Sequence, residues 1–235
     1  MKRAKKYAKS LKTCCGRLLR NLDRKFKSQD LMTDKVKKVF EICFRIFNQR
    51  KSDKNKIYSV HAPEMKCISK GKAHKKYEFG NKVSVATTVK KNFVVGALSF
   101  NSNLFDGKTP KVSLEQASKI MGKSPEFAYV DRGYRGYTKD CGETTVFLQG
   151  QRRGIDEPTK KLLKRRRRIE PVIGHLKLGH RLERNFLLGE DGDKINLLLS
   201  TAAFNLRKLL SVFVLFIGWI RYSKFCWQRK ISPAH

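Results

Sequence analysis

The stretch that decides the fold runs from residue 129 to residue 177. It begins YVDRGYRG (129–136) and ends RRRRIEPVIGHLK (165–177). The apolar run Phe127 to Val130 is followed at once by Asp131 and a turn bounded by glycines, as in a buried strand that ends at the edge of a sheet. The sequence therefore predicts a carboxylate at a sheet edge. Capping of the following turn is the alternative role for Asp131.

The second half of this stretch places Arg166, Glu170 and Lys177 at helical spacing, so that on one continuous helix they share a face. Pro171 disfavours a helical conformation at Glu170 and suits the first position of a helix, so Glu170 is expected at a helix start or a kink. Asp131 and Glu170 together are a candidate pair of ligands for a divalent metal. Two carboxylates that share Mg²⁺ can stabilise the attacking and leaving oxygens of phosphoryl transfer.

Composition gives an independent indication of the partner. The chain has 235 residues, 53 of them basic and 20 acidic, with a formal net charge of +33. A compact domain with this charge favours a polyanionic partner, and nucleic acid is the first candidate. A lysine-rich solvated surface is the alternative. Hydrophobic residues make up 40% of the chain, which excludes a wholly disordered protein.

The N-terminal third predicts a basic helical hairpin in residues 1–55. Apolar residues recur at helical spacing in 4–27 and in 34–48, with a turn near Ser28 to Asp30. The basic face suits contact with a DNA backbone, and an ordinary packing pair is the alternative. Beyond the polar linker at 49–56, the loop with Lys70, Lys72 and Lys75 is a candidate phosphate contact, or simply solvated.

The rest of the chain predicts a mixed α/β domain at residues 56–212. The expected strands are 56–60, 65–69, 77–89, 93–100, 127–130 and 144–148, with a helix at 112–121. The strand–helix–strand order suits a mixed sheet flanked by helices. A long helix from Ile195 to Ile220 should close the core, and residues 213–235 form an apolar and basic tail.

The cysteines and one apolar run indicate where in the cell the protein is expected. The six cysteines show no metal-finger spacing, and no signal peptide is evident, so reduced thiols and a cytoplasmic protein are expected. The apolar run Leu209 to Ile220 is shorter than the roughly 20 residues of a spanning helix. It is interpreted as a core helix without a membrane partner, and a membrane-surface anchor is the alternative.

These motifs resemble the DDE transposases of bacterial insertion sequences, specifically the large family called IS-five. Arg166, Glu170 and Lys177 fit the family pattern Tyr-x2-Arg-x3-Glu-x6-Lys, in which Leu163 takes the place of the Tyr. The resemblance covers roughly residues 1 to 212. Its further matches are Lys56–His61, Lys70–Gly80, Leu104–Gly107, Gly189–Asp193 and Asn205–Arg207.

The resemblance implies a ribonuclease-H-like fold and transposition of DNA by metal-dependent strand cleavage and transfer. By this likeness Asp131 and Glu170 are the second and third catalytic acids and ligands of Mg²⁺ or Mn²⁺. Contacts to element-end and target DNA are then implied for a set of cationic residues: Arg132, Arg135, Arg166, Lys177, Lys70, Lys72 and Lys75. A homo-oligomer or an intact transposase is a further expected partner, in the bacterial cytoplasm.

One departure from the family concerns its first acid. In the family this acid lies in an Asp-Thr-Thr-like strand upstream of the basic helices, and the chain is expected to lack that first strand through N-terminal truncation. Asp106 is a turn residue that could stand in for the missing carboxylate. The alternatives are a catalytically impaired DNA-binding remnant, an unexpressed or unfolded relic, and a basic RNA-binding protein, to which Gly133 and Gly136 give weak support.

Overall fold

The computed structural model describes residues 2–69, 76–100, 109–136, 141–151 and 153–231, and it divides after Asn81 into two compact units. The first unit contains α1 (Lys2–Ser28), α2 (Asp34–Asn48), β1 (Lys66–Ser69) and β2 (Tyr77–Gly80). The second contains β3 (Lys82–Thr87), β4 (Val94–Phe100), α3 (Thr109–Met121), β5 (Phe127–Val130), β6 (Thr145–Leu148), α4 (Glu157–Arg165), α5 (Ile169–Gly179) and α6 (Gly189–Ile231). Single 3₁₀ turns occupy Arg132–Tyr134 and Arg166–Arg168. The predicted domain boundaries after residues 55 and 212 stay predictions.

In the first unit, α1 and α2 occupy the two ranges in which helices were predicted, and they pack antiparallel. The Phe26 and Phe40 rings meet edge to face at 5.7 Å near the turn. At the far end, a Cβ on Gly16 would lie 2.5 Å from the Phe47 ring, so the missing side chain lets Phe47 lie against α1. Contact with DNA by the basic outer face is a separate matter and stays a prediction.

The segment 56–60, predicted as a strand, is not a strand in the structure. The side-chain carboxamide of Gln49 accepts from the N–H of Ile57 at 3.0 Å and donates to its carbonyl at 2.8 Å. These two bonds satisfy the backbone groups that a neighbouring strand would otherwise satisfy. The prediction was wrong because local periodicity does not show which partner meets the backbone.

The strands form three separate two-stranded sheets among the described residues, rather than one mixed sheet. β1 with β2 and β3 with β4 are antiparallel, whereas β5 with β6 is parallel. The single strand predicted at 77–89 is two strands with different partners. Gly80 separates them with a φ of +138°, a conformation that glycine adopts without steric cost. The architecture is thus mixed α/β with small sheets, and the ribonuclease-H-like fold remains a prediction.

The outer edge of β4 is paired with side chains. Asn205 of α6 donates to the Val94 carbonyl at 2.8 Å and accepts from the Val94 N–H at 2.9 Å. Gln116 of α3 makes the same two bonds to Ala97, at 3.1 and 2.7 Å. The two carboxamides close this edge at both positions and hold α3 and α6 against the β3–β4 sheet.

The core of the second unit lies where α5 and α6 meet β4. Its buried apolar side chains come from all three elements: Val94, Ala97, Val172, Leu176, Leu197 and Phe204. Val85 and Leu182 pack against this group. The cluster places α5, and with it the helix start at Glu170, on the same framework as β4.

The helix α6 is longer and more exposed than predicted. The segment Gly189–Asp193, which matches the family, forms its first turn, in which Glu190 and Asp191 complement the helix dipole. The half that contains Leu197 and Phe204 is packed. The apolar run from Leu209 onward, predicted as a core helix, is exposed on all sides, with Leu215 at 73%. That prediction was wrong because the described sheet and helices end before this part of α6.

By length and composition alone, Gly189–Ser223 is the one helix in the described ranges that is long and apolar enough to cross a membrane. A single helix of this kind is weak evidence for a membrane span. The absence of a membrane partner therefore stays a prediction.

Candidate nucleic-acid interface at the ends of β5 and β6

The candidate site is built on the parallel pairing of β5 and β6. Because paired parallel strands end at the same edge, the residues that follow them, Asp131 and Gln149, are brought together. The Gln149 N–H donates to the Val130 carbonyl at 2.9 Å and extends the ladder by one bond. The prediction that Asp131 stands at the end of a strand is confirmed.

Both carboxylate oxygens of Asp131 have partners within the protein. Oδ1 accepts from the Arg132 N–H at 2.8 Å and caps the 3₁₀ turn, as the alternative interpretation of this residue expected. Oδ2 pairs with Nη2 of Arg166 at 3.0 Å. The Arg166 side chain is only 15% exposed, whereas that of Asp131 is 51% exposed. The carboxylate of this ion pair therefore faces solvent, while the guanidinium is mostly buried.

Gln149 and Gly150 hold two arginines, and neither residue was singled out from the sequence. The Gln149 side-chain oxygen accepts from Nη1 of Arg166 at 2.9 Å, and its backbone carbonyl accepts from Nε of Arg132 at 3.3 Å. Gly150 has a φ of +82°, and a Cβ there would lie 2.6 Å from Nη2 of Arg132. A glutamine and a glycine directly after a predicted strand are the only sequence signal, and such a pair usually marks an ordinary turn.

The third predicted acid lies in a different setting. Glu170 is in the first turn of α5 and is exposed, so the expected helix start is confirmed. The 3₁₀ turn at Arg166–Arg168 advances by about 120° per residue rather than about 100°. Arg166 and Glu170 therefore do not keep the shared face of one continuous helix, and Arg166 is directed to Asp131 instead.

Of the other residues predicted to contact DNA, some lie within the described ranges and some do not. Arg132 begins the 3₁₀ turn after β5, Arg135 follows that turn, and Lys177 is in the last turn of α5; all three are exposed. Lys70, Lys72 and Lys75 lie outside the described residues, as does Asp106. DNA contact by these residues stays a prediction.

The described residues do not form a metal centre. Within the described ranges, no group of three or more histidine, cysteine, aspartate or glutamate side chains is placed to hold a metal ion. The Asp131 carboxylate is already bonded to the Arg166 guanidinium and a backbone N–H. Asp131 and Glu170 carry the oxygen ligands that Mg²⁺ prefers, and metal binding by this pair stays a prediction.

Ionisable groups near the site are perturbed by their surroundings. Burial raises the pKa of Tyr129 in β5, and the charge of Asp156 adds to the effect. The pKa of Asp156 is lowered, chiefly by its hydrogen bond with Thr159 at the start of α4. Burial also lowers the pKa of His180, with further electrostatic contributions from Arg207 and His175.

The lowered pKa of His180 predicts an acid-dependent loss of stability. The unfolded chain binds a proton at this residue more readily than the folded chain does. The contribution of His180 to the free energy of unfolding is therefore complete above about pH 6.5 and declines as the pH falls below that value. Denaturant unfolding at about pH 7.5 and about pH 5.5 should show a smaller drop for His180→Gln than for the unaltered chain. The control is His61→Gln, at an exposed histidine. An equal drop in His180→Gln and the unaltered chain would contradict the prediction.

Comparison with known proteins gives one finding. A family model described as a transposase DDE domain matches residues 142–210, which contain β6, α4, α5 and the packed half of α6. The match includes Gln149, Arg166, Glu170 and Lys177 but not Asp131. No curated protein and no solved structure gave a significant match to the chain. The segment from Gly142 to Leu210 is therefore similar to a transposase DDE domain.

Proposed function

We propose that this protein acts in the transposition of DNA and binds DNA at the edge formed by the ends of β5 and β6. The observation that carries the proposal is the convergence of Arg132 and Arg166 on Gln149 at this edge, within and beside the segment similar to a transposase domain. The net charge of +33 supports a polyanionic partner.

The phosphate ligands in this proposal are Arg132 and Arg135, at the 3₁₀ turn after β5, and Lys177, at the end of α5. Arg166, in the turn before α5, is paired with Asp131 and holds this edge in place. Arginine and lysine contact phosphate oxygens without reading the base sequence, so they fix the position of DNA rather than its identity. The loop with Lys70, Lys72 and Lys75 is a further proposed contact.

Strand cleavage and transfer with Mg²⁺ or Mn²⁺ is the reaction that the family similarity suggests, and Asp131 and Glu170 are the residues on which we expect it to depend. A DNA-binding protein without cleavage is the second candidate. The Asp131–Arg166 ion pair favours this second candidate, because it leaves neither carboxylate oxygen of Asp131 without a partner. Such a protein would compete with an active transposase for the same DNA.

A cleavage assay on supercoiled DNA separates the two candidates. The unaltered chain, Asp131→Ala and Glu170→Ala are incubated with plasmid in Mg²⁺ or Mn²⁺, and Glu183→Ala serves as a control outside the proposed set. Nicking that both site substitutions abolish and the control retains would establish the enzyme. Salt-sensitive binding without nicking would leave the DNA-binding candidate. The absence of any DNA binding would overturn the proposal.

The salt dependence of binding is the corresponding prediction. If Arg132, Arg135 and Lys177 each neutralise one phosphate, each of them contributes about −0.9 to the slope of log K against log salt. Removing Lys177, as Lys177→Ala, should weaken binding and make the slope shallower by about 1. Fluorescence anisotropy with a labelled duplex, from about 50 to about 200 mM salt, measures both quantities. An unchanged slope would remove Lys177 from the interface.

A further inference from the structure

We propose that Gln149 and Gly150 position the Arg132 guanidinium so that it binds one phosphodiester group of DNA. This inference rests on the proposed function and adds to it two positioning residues and a phosphate ligand for one arginine. It concerns the turn after β6, whose residues the sequence had not indicated.

The backbone of the turn after β6 holds the Arg132 side chain. Its Nε donates to the Gln149 carbonyl, and its guanidinium lies against Gly150, where a Cβ would otherwise be. These contacts involve the backbone of a turn that itself continues the β5–β6 ladder through Gln149. A side chain held in this way loses less conformational freedom when it binds a ligand than a freely rotating arginine does.

Arg132, rather than Arg166, has the guanidinium that is free to bind an anion. Arg166 is mostly buried, and its charge is neutralised by Asp131. Arg132 is exposed, and in the part of the chain that the structure describes it forms no ion pair with a carboxylate side chain. Its Nε is bonded to the protein, while the two terminal nitrogens can present a bidentate pair of donors to a phosphate.

Gly150 leaves room for the Arg132 guanidinium. Glycine commonly adopts a positive φ in turns, so the backbone conformation of Gly150 does not by itself indicate a function. The contact does: a Cβ at this position would meet three atoms of the Arg132 guanidinium at 2.6 to 3.3 Å. Gly142 provides the matched comparison, because its φ of +65° imposes similar backbone strain and nothing lies within 4 Å of its Cβ position.

The test is a double-mutant cycle measured by DNA binding. Arg132→Ala is expected to weaken binding of a labelled duplex about tenfold at low salt and to make the salt slope shallower by about 1. Gly150→Ala should reproduce most of that loss in the unaltered background and cause no further loss in the Arg132→Ala background. Gly142→Ala should bind as the unaltered chain does.

A second variant keeps the inference testable if Gly150→Ala does not fold, which thermal unfolding will show. Arg132→Lys retains the charge but loses the planar donor pair and the Nε bond to Gln149. It should weaken binding several-fold with an unchanged salt slope.

Four results would overturn the inference: full affinity in a folded Gly150→Ala variant, full affinity in Arg132→Lys, an equal loss in Gly142→Ala, or a Gly150→Ala loss that persists without Arg132. These results leave DNA binding by the unaltered chain intact. A failure of the proposed function is distinct, because the unaltered chain then does not bind the duplex at all, and the assignment of Arg132 falls with it.

Discussion

Replacing Leu176 by alanine is expected to lower the free energy of unfolding by about 3 kcal/mol. Leu176 is 0% exposed and lies at the centre of the cluster that joins α5 to β4 and α6. Loss of its isobutyl group removes buried apolar surface and leaves a cavity that the surrounding sheet and helices fill only in part. Denaturant unfolding followed by circular dichroism measures the difference.

The control for this prediction lies two residues further along the same helix. Leu178 is 83% exposed, so Leu178→Ala should change the free energy of unfolding by no more than about 0.5 kcal/mol. The pair shares residue type, helix and helix propensity and differs in burial. Equal effects of the two substitutions would show that α5 does not pack as described.

Replacing Asn205 by aspartate is expected to cost about 3 kcal/mol, although the two side chains have nearly the same shape. The amide of Asn205 donates to the Val94 carbonyl and accepts from the Val94 N–H. A carboxylate retains the second bond but places a charged oxygen against the Val94 carbonyl, which then has lost its donor. Denaturant unfolding at neutral pH measures the loss.

The pH dependence of this variant separates the named cause from general damage. A protonated aspartic acid can donate again, so the deficit relative to the unaltered chain should shrink as the pH falls toward about 4. Leu206→Ala, at the exposed neighbouring position, is the control and should be nearly neutral. If the loss of stability in Asn205→Asp stays constant with pH, the two hydrogen bonds between Asn205 and Val94 are not its cause.

Sequence reasoning located the local features of the site. The apolar run before Asp131 predicts a strand end, and Pro171 predicts a helix start near Glu170; both features are present. These predictions succeeded because each depends on residues close together in the chain. The similarity of residues 142–210 to a transposase domain agrees with the broad family that the motifs indicated.

Features that depend on distant partners were missed. Gln149 meets Arg166 across 17 residues, and Gln49, Gln116 and Asn205 satisfy backbone groups that periodicity assigns to neighbouring strands. Carboxamide side chains that replace a strand leave no pattern in the residues they bind. The exposure of the run from Leu209 was missed for a related reason, since hydrophobicity indicates what a helix can bury and not what is available to cover it.

The bond between Asn205 and Val94 has a consequence for how the chain folds as it is made. The two residues are 111 positions apart, so joining them closes a loop whose entropy costs about 4 kcal/mol on a logarithmic scale of length. At about 5 to 20 residues per second, roughly 6 to 22 seconds of synthesis separate β4 from its partner in α6. During that interval Val94 lacks the partner that covers its edge of β4. This edge of β4 is therefore completed only after Asn205 has left the ribosome, and long-range contacts of this kind slow folding.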